Sequence, residues 1–151
     1  MLAVIRPDDW DLPLFLHVLG AMLLVGSLVL VSLSLIGAWR DGSVAMVRLG
    51  FRSLLIAALP AWIVMRLAGE WMVSKEGLED SDLTWLGIGY TTAEPGLLVI
   101  LIATLLAWLG LRRAQRGTGD PRTLARVASV LVLVMVAAYV VTIWAMTTQP
   151  T

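Results

Sequence analysis

The chain alternates between long apolar runs and short polar breaks, and four of the runs have membrane-crossing character. The first, LPLFLHVLGAMLLVGSLVLVSLSLIGAW, extends from Leu12 to Trp39. At ~1.5 Å per residue it reaches roughly 42 Å, more than a bilayer core of ~30 Å, so it must tilt or protrude. Asp11 suits its N-cap, and Pro13 is tolerated in a first turn. The second run covers 53–73, with Pro60 predicting an interior kink. The third, GLLVILIATLLAWLGL, spans only ~24 Å. Its helix must begin earlier, which gives a span of 94–111. Either Thr91 caps it with Glu94 at N3, or Glu94 caps it with Pro95 at N1. The fourth covers 127–147, and Asp120 followed by Pro121 supplies a cap and first turn ahead of it. Between the second and third runs lies an acidic loop, 74–93, that ends in LTWLGIGY. That stretch is apolar, broken by glycine and too short to span, which predicts an interfacial helix or re-entrant turn.

Composition turns this pattern into a class. The 151 residues are 59% hydrophobic with a mean hydropathy of +0.88, against roughly 45–50% apolar content in soluble domains. The expected fold is all-α: one transmembrane domain, 1–151, folded as an antiparallel four-helix bundle. Cysteine is absent, which excludes disulfides, thiolate metal sites and cysteine nucleophiles. Arg6 is followed by Asp8, Asp9 and Asp11 instead of a basic segment leading a short apolar core, so no cleaved signal peptide is expected.

Total charge balances, with Lys+Arg and Asp+Glu at 11 each, but its distribution does not. Arg40, Arg48 and Arg52 lie between the first two runs, and Arg112, Arg113, Arg116, Arg122 and Arg126 between the last two. The other side holds only Arg6 and Lys75, among Asp8, Asp9, Asp11, Glu76, Glu79, Asp80, Asp82 and Glu94. This bias predicts a multi-pass plasma (inner) membrane protein with both termini outside and the arginines in the cytoplasm. The basic segments are short and juxtamembrane, which argues for anionic lipid headgroups and against nucleic acid. The expected partners are therefore the lipid bilayer, and other membrane subunits or a second copy of the chain.

The runs are not wholly apolar. Counted inward from the outer boundary, Glu70 is roughly 5 Å deep, His17 roughly 7 Å, Thr142 about 8 Å, Arg66 roughly 10 Å and Tyr139 about 12 Å. Glu94 sits at the mouth of the third span. These six residues fall in one outer-leaflet layer. His17 shares a helical stripe with Gly20, Ser27 and Ser34, and small residues mark close helix contacts in membranes. Arg66 and Glu70 are one turn apart. An arginine in the core costs roughly 2.5–3.5 kcal/mol on insertion scales, more than a local pair worth about 0.2–0.5 kcal/mol returns. Arg66 therefore needs to snorkel, or to find partners on other helices, a cofactor or a bound anion. The layer reads either as a register lock between helices or as a binding site. In the second case His17 is the candidate metal ligand, with Met22, Met65, Met72 and Met146 as soft donors for Cu(I), or b-type haem is the cofactor. No hydrolase triad, phosphate loop, zinc motif or dinucleotide fingerprint occurs, and no catalytic residue is assigned.

LPLFLHVLGAMLLVGSLV resembles the opening helix of a group of small bacterial membrane proteins. The group includes an uncharacterised four-span integral membrane family, the CopD-type copper-resistance membrane domain and HemJ-type protoporphyrinogen oxidases. The shared features are His17 early in the first span, then Gly20 and Gly26. The resemblance to the uncharacterised family covers nearly the whole chain and implies a small, non-enzymatic membrane protein. HemJ-type proteins use the early histidine as a haem-ligand candidate beside an intramembrane lysine, whereas the one lysine here, Lys75, lies in the outer loop. His17 is also the only histidine, so a haem ligated by two histidines of one chain is excluded. The expected site is then built on His17, Arg66 and Glu70: His17 ligates or hydrogen-bonds, Arg66 holds a carboxylate, and Glu70 orients Arg66.

Overall fold

In a computed structural model, which describes residues 11–76 and 84–148, the chain is all-helical: no strand occurs among the described residues. The helices are α1 (Asp11–Asp41), α2 (Val44–Ser53), a π segment (Leu54–Ala58), α3 (Leu59–Glu76), α4 (Thr84–Gln115) and α5 (Arg122–Thr148). Because α2, the π segment and α3 run on without a break, there are four helices long and apolar enough to cross a membrane. The N-terminal residues Arg6, Asp8, Asp9 and Trp10, and Glu79, Asp80 and Asp82 of the acidic loop, lie outside the described residues.

Two boundaries differ from those expected, each for a physical reason. The second helix begins at Val44 instead of Ser53, so Arg48 and Arg52 are helical. Both are exposed, and long basic side chains on a helix end carry their charge to the surface without unwinding the backbone. The turn from α1 needs only Gly42 and Ser43. Gly42, at φ +70°, donates its N–H to Ala38 O at 2.9 Å, and the Ser43 hydroxyl accepts from Met46 N–H. The third helix begins at Thr84, ten residues ahead of Glu94. Thr91, Glu94 and Pro95 are all interior to it, so neither expected cap exists, and LTWLGIGY is part of the helix from Thr84 onward. The Thr91 and Thr92 hydroxyls turn back onto Gly87 O and Ile88 O, a bonding pattern that accommodates irregularity in membrane helices. The expected kink at Pro60 takes the form of a wide turn. Lacking an N–H, Pro60 cannot complete the α ladder, and just before it Leu59 N–H reaches back five residues to Leu54 O.

The start of α5 follows its sequence signal. Arg122 N–H donates to the Asp120 carboxylate at 2.9 Å, and Ala125 N–H to Pro121 O. α4 ends at Gln115, and the turn after it passes through Gly117 (φ +65°), where Thr118 N–H returns to Arg113 O and Gly117 N–H to Ala114 O.

The core runs through Leu24, Leu28, Val31 and Leu35 of α1, Leu54 and Ala58, Ile100, Ala103 and Ala107 of α4, and Ala125, Ala128 and Val132 of α5. α1 packs against α2, α3 and α5, and α4 against α5 and α2. α3, by contrast, touches α4 at few places. The second helix therefore lies close to α4 before the π segment and draws away from it afterwards. Ser27, Ser32, Ser34 and Ser129 bond to carbonyls of their own helices and so tie no helix to another.

Candidate functional site

The polar residues of the other half sit on three separate seams. The first is α1–α3. A Cβ on Gly20 would stand 2.7 Å from the Met65 amide nitrogen and 2.9 Å from its Cα, so only glycine lets these backbones approach. One turn earlier on α1, His17 lies over Gly69, and its Nδ1 is 2.9 Å from Met65 O. The carbonyl can only accept, so Nδ1 carries the proton and donates. The stripe beneath is continuous: Gly20, Ser27 and Ser34 are all buried. Gly26 points away from every neighbour, with nothing within 4 Å of a Cβ placed there.

The second seam is α3–α4, where the helices have drawn apart and long side chains cross the gap. Trp62 Nε1 donates to Ala93 O at 2.9 Å. Arg66 pairs with Glu70 and lies over the Tyr90 ring, 4.8 Å from its centroid, while the Tyr90 hydroxyl donates to the second Glu70 oxygen at 3.2 Å. Arg66 thus has a partner on another helix, an aromatic face. The cluster is open: the Arg66 and Glu70 side chains are 22% and 46% exposed.

The third seam is α4–α5. The Thr142 hydroxyl is 2.9 Å from Thr92 Oγ1 and also 2.9 Å from Ala138 O. Tyr139 is buried, and its hydroxyl rests against Gly96 with no hydrogen-bond partner. A Cβ on Gly96 would collide with that hydroxyl, and one on Gly89 with Met146 Cε.

The six sequence candidates therefore do not meet in one place. Met65 and Gly69 meet His17 of α1, whereas Arg66 meets Tyr90 of α4, so His17 and Arg66 lie on different faces of α3. Tyr139 and Thr142 belong to the third seam, and Glu94 is exposed. Tyr90 and Trp62 are the participants that sequence reasoning passed over. Tyr90 was hidden by reading its segment as a loop, although it stands one helical turn before Glu94 and a tyrosine at that depth is usual.

This geometry does not suit the metal ligand sets. Among the described residues no three His, Asp or Glu side chains gather as a metal cage. The methionines are dispersed: Met22 is 69% exposed, Met65 is in the α1–α3 seam, and Met146 rests on Gly89 of α4. The chain matches no family model, no curated protein and no solved structure.

Proposed function

We propose that the chain is a non-catalytic membrane component, an antiparallel four-helix bundle of the plasma membrane that serves as an accessory subunit of a larger membrane assembly. Its polar layer locks the helices in register. The observation that carries this reading is that the layer's hydrogen bonds are spent between helices: His17 on Met65 O, Trp62 on Ala93 O, Tyr90 on Glu70, and Thr142 on Thr92. Each bond ties one helix to another, and none converges with the others on a shared centre. The two-residue turn after α1, with Gly20 against Met65 and Gly50 against Leu35, supports the antiparallel arrangement. The arginine bias supports placing both termini outside.

Gentle solubilisation and native electrophoresis test the subunit role. The expected result is migration with other membrane proteins at fixed stoichiometry, and a lone monomer in every mild detergent would refute it. A reporter active only in the cytoplasm, fused after Thr151, should be silent, and activity there would reverse the orientation.

A second reading has its own observation, the open Arg66–Glu70–Tyr90 cluster. There, a ligand carboxylate would take the place of Glu70 on the Arg66 fork, with the Tyr90 hydroxyl as second donor. Mass spectrometry of the denatured, natively purified protein tests it: a stoichiometric carboxylate lost in Arg66→Gln favours this reading, and its absence leaves the lock.

A further inference from the structure

The arginine end of the bundle contains an arrangement that the helix lock does not use. Arg122 and Arg126 are one turn apart at the start of α5 and lean over the last turn of α1. The Arg126 guanidinium lies over the Trp39 indole, 5.2 Å from the ring centroid. The Arg122 guanidinium lies on the Gly42 turn, with Nε and Nη2 each 3.1 Å from where a Cβ would be. A β-carbon at residue 42 would therefore press on this guanidinium and make it give way slightly. Both arginines are exposed. The two ion pairs among the described residues are Arg66–Glu70 and Arg122–Asp120, the latter at 3.6 Å, so Arg126 carries an unneutralised charge there. Trp39 is half-buried and packs on the core, which fixes the surface under Arg126. A guanidinium stacked on an indole keeps its in-plane N–H donors pointing outward. Tryptophan beside a helix end is also the side chain that marks headgroup depth.

We propose that Arg122 and Arg126 clamp the phosphate of an anionic phospholipid over the α1–α2 turn. Arg126, seated over the indole, offers the paired donors that grip phosphate oxygens, Arg122, loosely paired with Asp120, adds a second guanidinium, and the acyl chains lie along the exposed apolar sides of α1 and α5. The source is a lipid and not free phosphate, because the pair stands beside exposed Val127 and Val130, where a soluble anion gains nothing from the surroundings. The proposal rests on the membrane reading but not on its orientation.

The full chain, purified in detergent, is titrated with phosphatidylglycerol, phosphatidylcholine or inorganic phosphate while its thermal unfolding is followed. Detergent micelles have no sides, so failure here leaves the topology reading untouched. Phosphatidylglycerol is expected to raise Tm, and the other two to leave it unchanged. In Arg122→Gln/Arg126→Gln the apparent lipid affinity should fall about fivefold per arginine removed. Arg113→Gln/Arg116→Gln, which removes the same charge from the α4–α5 turn, should keep the affinity of the parent. Arg126→Lys retains charge but not the fork, and should show an intermediate loss. Equal losses in the two double variants would mean diffuse surface charge and overturn the clamp. An equal Tm gain from phosphatidylcholine or from inorganic phosphate would overturn it as well. Should the double glutamine variant fail to fold, Arg126→Gln alone decides: it must lose about fivefold.

Discussion

α3 meets its two neighbours in opposite ways. Toward α1 it offers the bare backbone of Met65 and Gly69, and α1 brings Gly20 and the flat ring of His17 against it. Toward α4 it offers Trp62, Arg66 and Glu70, and α4 answers with Tyr90 and a carbonyl. The first seam is closed by removing side chains, the second is bridged by adding them. Apolar side chains gain nothing by leaving lipid for each other, so close association in a membrane comes from backbone approach and dispersion. Where the helices approach, small residues suffice. Where the π segment and Pro60 have turned α3 away from α4, long polar side chains reach across instead.

The sharpest way to break this contrast is a side chain at Gly20. The obstacle there is the Met65 backbone, which cannot swing aside as a side-chain tip does. Gly20→Val should therefore cost at or above the ~3 kcal/mol end of overpacking penalties, seen as a large fall in detergent Tm. Gly26→Val, six residues on, adds the same volume into open space and should leave Tm within a degree or two of the parent. Gly89→Ala should fall between them, because its obstacle is the mobile end of Met146. Comparable losses at Gly20 and Gly26 would mean that α1 does not use this face.

His17 tests the same seam with a smaller expected effect. His17→Leu keeps bulk and removes the bond to Met65 O. The Met65 carbonyl lies inside α3, where its own helix also supplies a donor, so no acceptor is stranded. Cross-helix hydrogen bonds in membranes average about 0.6 kcal/mol, with a ceiling near ~1.7. His17→Leu should fall in that window by equilibrium unfolding, and His17→Gln, which can still donate, should recover part of it. A loss several times larger would show that the imidazole holds something besides this carbonyl.

How much of this was readable from sequence depended on which signal carried it. The four spans, the arginine asymmetry and the Asp120 cap depend on runs and local spacing, and these were legible. So was the buried stripe of Gly20, Ser27 and Ser34. The extents of α2 and α4 were not. Arg48 and Arg52 look like loop when charge is counted, although a helix end can carry them outward. Gly87, Gly89 and Pro95 look like breakers, although all three lie inside α4. Losing the first turns of α4 also lost Tyr90. Depth along the helices placed the polar residues in one layer, but depth carries no azimuth: consecutive residues 65 and 66 face different helices. Sequence could not separate the seams because that separation is set by how far α3 turns after the π segment.

The smallest effect is expected at the bridged seam, on the pair whose presence in an apolar run first demanded explanation. Arg66 and Glu70 are 22% and 46% exposed, and both also touch Tyr90. Removing either leaves the other with Tyr90 and with access to water or headgroups, so neither charge is stranded in lipid. Exposed ion pairs contribute about 0–1 kcal/mol, whereas leaving a buried charge unpaired costs about 3–5 kcal/mol. Arg66→Ala and Glu70→Ala should each lower stability by no more than about 1 kcal/mol. Arg66→Ala should be the larger, because it also removes the contact with the Tyr90 face. Tyr90→Leu should bring the two variants closer to equality by removing the partner they share. Suppose instead that Arg66→Ala costs ~3 kcal/mol or more while Glu70→Ala costs almost nothing. Then Arg66 holds an anionic partner beyond Glu70, and the second seam is a binding site instead of a strut.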